Sequence, residues 1–189
     1  MSLLSPDFYT QPVDEVAQGL IGVTLTVDGV GGIIVETEAY DAADPASHSF
    51  AGRTVRNATM FGPRGHAYVY RIYGLHHCLN IVCGTPGSAV LIRAIEPRHG
   101  IDSMLERRGI ARPIRELCAG PGRLCAALGI NMALDGASLD RPPFLLEDVD
   151  TVPDVVTGPR IGITKAADRP RRFGLRSSLW LSRPFPGFN

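Results

Sequence analysis

The stretch AYVYRIYGLHHCLNIVC, residues 67–83, decides the fold because it carries two β-type runs joined around a tight turn. Tyr, Val and Ile dominate the runs, as is typical of strands, and a Gly-containing reversal between such runs is typical of a hairpin. The pattern predicts a β-hairpin that turns around Gly74-Leu75 and carries Tyr73 at its tip.

Further β-type segments lie on both sides of this hairpin. Apolar residues alternate from Ile21 to Val27 up to an Asp-Gly turn, and GGIIVETEAY, residues 31–40, then resumes an extended run. This pattern predicts a first hairpin. On the other side, SAVLIRAIEP, residues 88–97, places Arg93 on an otherwise apolar strand, where an arginine needs an anionic partner.

The rest of the chain shows helix and strand signals without a linker or an internal repeat. Capping residues and flanking Gly or Pro predict three helices, at Val13–Gln18, at Ile101–Arg108 and from Pro121 to Gly129. Extended patterns predict further strands at Phe144–Glu147, Arg160–Thr164 and Ser178–Ser182. The sequence therefore predicts a single α+β domain over residues 1–189 with a mainly antiparallel sheet.

Composition places the chain among globular proteins. It has 189 residues, of which 44% are hydrophobic and 20% are charged. No apolar run approaches the ~20 residues of a membrane helix, and the start, MSLLSPDFYT, lacks the pattern of a secretory signal. We therefore expect a cytoplasmic protein without membrane contact. The four cysteines form no CxxC pair, which favours free buried thiols over disulfides or zinc.

Charge is unevenly distributed although the net charge is zero. Residues 1–50 carry eight acids and no Lys or Arg, and residues 51–134 have a net charge of +7. Residues 135–154 return to −5 and residues 155–189 to +6. Such blocks can give a fold one basic face for a phosphate backbone, or they can be ordinary surface charge. The blocks alone do not decide between these interpretations.

Two carboxylates on one predicted strand raise the question of catalysis. Glu36 and Glu38 would have Cα atoms ~6.5–7 Å apart by the rise of a strand. This is close to the ~6.5–9.5 Å that separates the carboxyl groups of an inverting glycosidase, so an inverting carbohydrate hydrolase is one hypothesis. The plainer interpretation of the same pair is a solvated strand face.

Aromatic residues cluster beside these carboxylates. Four of the five tyrosines lie within 34 positions, and a Tyr side chain can stack on a planar ligand and hydrogen-bond its edge. A polar segment of 20 residues, 41–60, follows the carboxylates, and a loop of this length in a compact domain is usually functional. A nucleic-acid-binding module without catalysis therefore stands beside the enzyme hypothesis.

Six motifs that follow one another along the chain are more specific than any single motif. These motifs are ETEAY (36–40), ASHSFAGRTVRN (46–57), MFGPRGHAYVYRIYGLHHCLN (60–80), VLIRAIEP (90–97), ELCAGPGRLCAALGI (116–130) and RIGI (160–163). Together they resemble the alkyladenine (3-methyladenine) DNA glycosylase family over about Leu4 to Ser182. The resemblance implies a single compact domain with a curved antiparallel sheet, flanking helices and a protruding β-hairpin. It also implies excision of alkylated or deaminated purines from double-stranded DNA by a monomer, without metal or cofactor.

The resemblance also implies roles for seven residues. Glu38 matches the catalytic carboxylate, and Arg93 matches a basic residue beside the catalytic water. Tyr73 matches the residue that intercalates into DNA. The pocket for the flipped base is matched by Tyr40, His48, Tyr70 and Asn80, of which Asn80 is the amide that discourages guanine.

Elementary chemistry supports the same mechanism. A base inside a duplex must be rotated out before its glycosidic bond can be reached, and an aromatic wedge can fill the gap. We expect Tyr40 and Tyr70 to sandwich the purine while His48 meets its edge. We expect Arg93 to depress the pKa of Glu38 and keep it ionised as the base that activates water. Lys165 is the only lysine, so we expect a monofunctional glycosylase without lyase activity that leaves an abasic site. Such an enzyme would be nucleoid-associated if bacterial.

Overall fold

One sheet of eight strands organises the molecule, and all of its pairings are antiparallel in the part of the chain that the structure describes. The computed structural model describes residues 2–109, 111–148 and 152–187. The strands are β1 Thr24–Val27, β2 Val30–Tyr40, β3 Ala67–Ile72, β4 His76–Val82, β5 Ala89–His99, β6 Phe144–Glu147, β7 Val155–Gly158 and β8 Arg172–Leu175. They follow the order β3-β4-β5-β2-β1-β6, and β8 pairs with β2 and β7. The predicted α+β fold with a mainly antiparallel sheet is confirmed.

Strand β2 is the centre of this sheet. One of its edges pairs with β5, and the other pairs first with β1 and then with β8. The β2–β5 register shifts at three places between Gly31 and Thr37, and such irregularities bend a strand and increase its twist. The bends curve the sheet around the carboxylates of β2, as the resemblance implied.

In the described part of the chain, three short helices cover one face of the sheet. They are α1 Val13–Gly19, α2 Ile101–Arg108 and α3 Pro121–Leu128, which confirms the three predicted helices. Single 3-10 turns occur at Pro6–Thr10, Ala58–Phe61, Ile114–Glu116 and Met132–Leu134. Helix α3 ends at Gly129, whose φ of 75° lies in the left-handed region that suits glycine at a helix end. No described helix has the length and apolar character needed to cross a bilayer.

Alternation along the strands separates the core from the opposite face. On β3, Val69 packs into the main core with the helices, whereas Tyr68 and Tyr70 belong to a second, smaller cluster. On β5, Ile92 lies in the main core and Arg93 lines a cavity. The period of two therefore sends apolar residues to the helices and the chemically active side chains to the other side.

Both predicted hairpins are present with their turns where expected. Asp28 and Gly29 connect β1 to β2, and Tyr73, Gly74 and Leu75 connect β3 to β4. In the second turn the φ angles are 52° at Tyr73 and 69° at Gly74, and the Leu75 amide donates to the Ile72 carbonyl at 3.2 Å. Positive φ at both central residues identifies a type I′ turn, which is uncommon for a tyrosine.

Two strand predictions in the last third of the chain are wrong. Arg160–Thr164 and Ser178–Ser182 form loops and turns, and the strands of this region are β7 and β8. The amides of Ile161 and Ser182 donate to buried carboxylates of β2 instead of a strand ladder. Side-chain acceptors elsewhere in the fold therefore determine the path of both segments.

Candidate active site

A cavity of about 350 Å³ opens on the face of the sheet opposite the helices, with the segments around residues 46–48 and 161–163 forming its other walls. Its size falls in the ~300–1,000 Å³ range of small-ligand pockets. All seven side chains that the sequence singled out line it: Glu38, Tyr40, His48, Tyr70, Tyr73, Asn80 and Arg93. The fold brings together residues that lie up to 55 positions apart in the sequence.

Glu38 is the most constrained carboxylate of the cavity. It is fully buried, and its Oε1 accepts a hydrogen bond from the Ile161 amide at 2.8 Å. Its Oε2 accepts from the Tyr40 hydroxyl at 2.8 Å, and Arg93 Nη1 lies 3.3 Å from Oε1. These partners fix the orientation of the carboxylate at the wall of the cavity.

Burial has the largest effect on the protonation of Glu38. It raises the pKa of Glu38, while Arg93, the Ile161 amide and the Tyr40 hydroxyl lower it and the nearby Glu36 raises it again. Arg93 therefore lowers the pKa as expected, but the net pKa lies above the ordinary value because burial has the larger effect. Removal of the carboxylate from water raises its pKa by more than the three partners together lower it.

Glu36 has a different environment from Glu38. It is fully buried, does not line the cavity, and accepts at Oε1 from Arg93 Nε at 3.0 Å and from Arg172 Nε at 2.7 Å. Ser182 adds its hydroxyl at 2.8 Å and its amide at 2.6 Å. The solvated-face interpretation of this pair is therefore wrong. Glu36 is also in no position to protonate a leaving group, as the carbohydrate-hydrolase hypothesis requires.

Three rings form an aromatic wall of the cavity. The ring centroids of His48 and Tyr70 are 4.5 Å apart at 70°, and those of Tyr68 and Tyr70 are 5.5 Å apart. His48 Nδ1 hydrogen-bonds the Tyr68 hydroxyl at 3.0 Å. Within the described residues this is the imidazole's one hydrogen bond, so Nε2 is the nitrogen that can meet a ligand. Burial, with help from Arg56, lowers the pKa of His48 and favours a neutral ring.

An ion pair between Arg160 and Asp44, which the sequence did not predict, packs against the Tyr40 ring. The Arg160 guanidinium lies 4.5 Å from the centroid of the Tyr40 ring and donates to both carboxylate oxygens of Asp44. Arg160 also donates to the Ala39 carbonyl at 3.0 Å. Asp44 and Arg160 are 116 positions apart and both are fully buried, and no local pattern relates them.

The loop that carries His48 is fixed by its own side chains. Asn57 donates from Nδ2 to the His48 carbonyl at 2.8 Å and to the Gly52 carbonyl at 3.0 Å. Its Oδ1 accepts from the Thr54 amide at 2.6 Å. Asn57 is buried, and its hydrogen bonds stabilise the loop that was predicted to be functional.

Asn80 and Tyr73, which both line the cavity, differ sharply in exposure. Asn80 is buried, and its Nδ2 donates to the Tyr68 carbonyl at 3.1 Å, which fixes the direction of the amide. Tyr73 is 86% exposed and its neighbour Leu75 is 78% exposed at the tip of the β3–β4 hairpin. The hairpin thus presents an apolar tip beside the opening of the pocket.

The cysteines are free thiols, and one of them, Cys78, lines the cavity. The four cysteines are buried and free, as predicted, and burial raises the pKa of Cys83 to about 12. Residues 2–109, 111–148 and 152–187 contain no group of three or more His, Cys, Asp or Glu side chains arranged to hold a metal ion.

Comparison with known proteins agrees with the motifs and with the cavity. The sequence profile of the family described as methylpurine-DNA glycosylase matches residues 7–179. A Nitrosospira multiformis protein is 61% identical over 188 residues, covering 98% of this chain and 96% of its own. A Rhodopseudomonas palustris HaA2 protein is 58% identical over 180 residues, covering 94% and 89%, and a Rhizobium meliloti protein is 58% identical over 179 residues, covering 95% and 96%. All three carry 3-methyladenine DNA glycosylase as a provisional name. The chain therefore belongs to the methylpurine-DNA glycosylase family.

Proposed function

We propose that this protein removes alkylated or deaminated purines from duplex DNA by binding the flipped nucleotide in the cavity and hydrolysing its N-glycosidic bond. The observation that carries the proposal is the oriented carboxylate of Glu38 at the wall of an aromatic pocket. The names of the relatives, which refer to 3-methyladenine, support the same substrate class.

The exposed hairpin tip supports base flipping. Rotating a nucleotide out of a duplex costs roughly a few kcal/mol, and an inserted apolar wedge can offset part of that cost. Tyr73 is exposed, aromatic and adjacent to the cavity, so it can fill the gap that the base leaves. The same insertion would place the extruded base at the mouth of the pocket.

The aromatic wall explains recognition of a damaged purine. A planar base can stack on the Tyr40 ring and against His48 and Tyr70, and a cationic N-alkylpurine gains about 0.5–2 kcal/mol from aromatic faces. The neutral His48 ring can meet the edge of the base through Nε2 without repelling a positive charge. Asn80, fixed by its bond to the Tyr68 carbonyl, is the group assigned to oppose guanine.

Hydrolysis needs one proton acceptor and one water in this scheme. Glu38 takes a proton from water, the oxygen bonds to C1′, and the electron pair of the C1′–N bond leaves with the base. The Glu38 carboxylate also stabilises the positive charge that develops on the sugar, and Arg93 lies beside it to orient the water. The pKa raised by burial makes Glu38 a stronger base than an exposed carboxylate.

The position of the single lysine supports hydrolysis without strand cleavage. A lyase reaction needs an amine that reaches C1′, and Lys165 is exposed and absent from the cavity wall. The proposal therefore has the protein act as a monofunctional glycosylase and leave an intact abasic strand. It acts as a monomer on double-stranded DNA, in the cytoplasm or on the nucleoid of a bacterium, and uses no cofactor.

The test is a single-turnover assay on duplexes that each carry one 3-methyladenine analogue, 7-methylguanine, hypoxanthine or ethenoadenine, followed by alkaline strand scission. We expect the wild-type protein to release at least one of these bases, and Glu38→Gln to bind the same duplex without releasing it. Glu96→Gln is the matched control, because Glu96 pairs with Arg98 on β5 and does not line the cavity. Base release by Glu38→Gln at the wild-type rate would refute the mechanism. Failure of the wild type on all four lesions would refute the function.

Strand scission before alkali treatment, or a borohydride-trapped adduct, would contradict the monofunctional assignment. Equal losses of binding and excision in Glu38→Gln would instead favour a binding module.

A further inference from the structure

The candidate catalytic carboxylate, Glu38, belongs to a buried cluster of four charges. Glu36 and Glu38 are fully buried, and the side chains of Arg93 and Arg172 are 8% and 2% exposed. The two carboxylates and two guanidinium groups balance in charge. Buried charges persist only when they are paired, and here both arginines pair with Glu36 while Arg93 also faces Glu38.

Arg93 connects the two carboxylates. Its Nε donates to Glu36 at 3.0 Å, and its Nη1 lies 3.3 Å from Glu38. A guanidinium group is planar and presents its donors in a fixed fork, so the bond to Glu36 determines where Nη1 points. Glu36 thereby limits how closely Arg93 can approach Glu38.

The other contacts of Glu36 come from the end of the chain. Ser182 donates to Glu36 from both its amide and its hydroxyl, and Arg93 Nη2 lies 3.4 Å from the same hydroxyl. Arg172, which also donates to Glu36, donates to the Arg183 and Pro184 carbonyls. The segment Ser182–Phe185 is therefore tied to the charge cluster.

Phe185 completes this attachment. Its ring is buried and lies 3.9 Å from the Arg172 guanidinium carbon. A Cβ at Gly174 would come within 2.4 Å of Phe185 Cε2, so glycine at this position of β8 makes room for the ring. The segment is packed against the sheet as well as hydrogen-bonded to it.

We propose that Glu36 is a positioning residue that acts on Glu38 through Arg93, and that the segment Ser182–Phe185 holds Glu36 and Arg93 in their working geometry. The inference rests on the proposed function, since it concerns the residue proposed there as the base. Without Glu36, the Arg93 fork is free to pair with Glu38 alone. That pairing makes Glu38 a weaker base and turns the guanidinium away from the water.

The titratable and charged groups near the two carboxylates come from four parts of the chain. Besides Glu36 and Glu38 themselves, they are Tyr40 on β2, Arg93 on β5, Arg172 on β8 and Arg160 before the Ile161 amide. Replacing Glu36 by a neutral residue removes a negative charge that raises the pKa of Glu38 and leaves Arg93 beside Glu38. Glu38 then ionises more readily. The acid limb of the pH–rate profile, where excision slows because Glu38 is protonated, should therefore move to lower pH, and the maximal rate should fall.

The experiment measures single-turnover excision against pH and duplex affinity for the wild type and for Glu36→Gln. We expect Glu36→Gln to excise about 100-fold more slowly, which is the size of loss that misplacement of a reacting group by ~1 Å can cause. We expect its acid limb to lie at lower pH and its affinity for the duplex to stay within about threefold of wild type. A role in stability alone would reduce the amount of folded protein and leave the limb unchanged.

Two further variants keep the test decisive if Glu36→Gln does not fold. Glu36→Asp retains the charge, so we expect a slower reaction with the acid limb of the wild type. Ser182→Ala removes one hydroxyl from a half-buried position, and we expect about tenfold slower excision, the worth of one hydrogen bond to a charged group. Glu96→Gln, which breaks an ion pair elsewhere on β5, should match the wild type.

Each outcome separates this inference from the proposed function. If the wild type releases no base, the proposed function fails. If the wild type is active and Ser182→Ala and Glu36→Gln both excise within twofold of it with the same acid limb, the positioning role is refuted. The role is also refuted if Glu36→Gln, or Glu36→Asp in its place, loses excision and duplex binding in equal proportion.

Discussion

Replacement of Asp44 by Asn tests the buried ion pair that supports the pocket from behind. Asp44 and Arg160 are both fully buried, and Arg160 uses two of its nitrogens on the carboxylate. Neutralising the acid leaves the guanidinium charge buried, which typically costs about 3–5 kcal/mol. The Ala39 and Ala166 carbonyls still accept from Arg160, so we expect about 3 kcal/mol, the lower end of that range.

This loss is large compared with the stability of a typical domain, ~5–15 kcal/mol. For a chain of this size it corresponds to a fall in Tm of about 6–12 °C, at ~2–4 °C per kcal/mol. Urea unfolding followed by circular dichroism measures the change directly. The matched control is Asp14→Asn, because Asp14 is 44% exposed in its pair with Arg171. Such a surface pair contributes about 0–1 kcal/mol.

The effect also depends on pH in a defined direction. Burial by itself raises the pKa of Asp44, but hydrogen bonds from Arg160 and the Ala46 amide outweigh it and the net pKa is lowered. The contribution of Asp44 to stability is therefore present above the ordinary Asp pKa and is lost as the pH falls through the lowered value. Asp44→Asn should consequently lose less stability on acidification than the wild type.

A second substitution removes both charges of the Asp44–Arg160 pair, although Asp44 also lies 3.5 Å from Arg171. Asp44→Leu with Arg160→Met removes both charges, and this double variant should be more stable than Asp44→Asn. We also expect Asp44→Asn to slow excision, because Arg160 precedes the Ile161 amide that orients Glu38. A loss within about 1 kcal/mol, no larger than that of Asp14→Asn, would refute the reasoning about an uncompensated buried charge.

Three further predictions concern the hairpin tip, the base and the end of the chain. Tyr73→Ala should leave Tm unchanged, because the side chain is 86% exposed. It should slow single-turnover excision by about 5- to 150-fold, because it removes ~1–3 kcal/mol of stacking. Unchanged excision would show that the tip does not enter the duplex. Tyr40→Phe removes a hydrogen bond that lowers the pKa of Glu38, so the pKa should rise further. The acid limb of the pH–rate profile for excision should then move to higher pH. An acid limb that stays in place would contradict the assignment of Glu38 as the base. Gly174→Ala should destabilise the fold by about 1–3 kcal/mol in urea titrations, because a Cβ would overlap the Phe185 ring, and a wild-type midpoint would show that the ring can move aside.

The first two-thirds of the fold were predictable because local patterns and tertiary structure agree there. Alternating apolar residues and Gly-containing turns specify both hairpins, and Gly129 marks the end of α3 as predicted. The resemblance, which rests on motif order, brought the seven cavity residues to attention. The spacing of Glu36 and Glu38 does not indicate which of them faces the cavity, because the difference lies in their tertiary contacts.

The remaining features depend on contacts between distant residues. Arg172–Leu175 is a strand that carries a buried arginine, which a hydrophobic pattern does not reveal. The partners of Arg172 lie on β2 and at the end of the chain, 136 residues before it and about 11 after it. Asp44 and Arg160 are equally remote from each other. Local patterns relate residues that are close in sequence, so they do not reveal these contacts.

The left-handed backbone at Tyr73 has a consequence for engineering and for evolution. A non-glycine residue at φ 52° carries about 1–2 kcal/mol of conformational strain, which Asn or Gly at the same place would relieve. A screen that selects variants only for heat resistance should therefore favour replacement of Tyr73 by Asn or Gly. Under the proposed function, such variants would have a higher Tm but would lack the ring proposed to enter the duplex, so an aromatic residue at this corner exchanges some stability for that role.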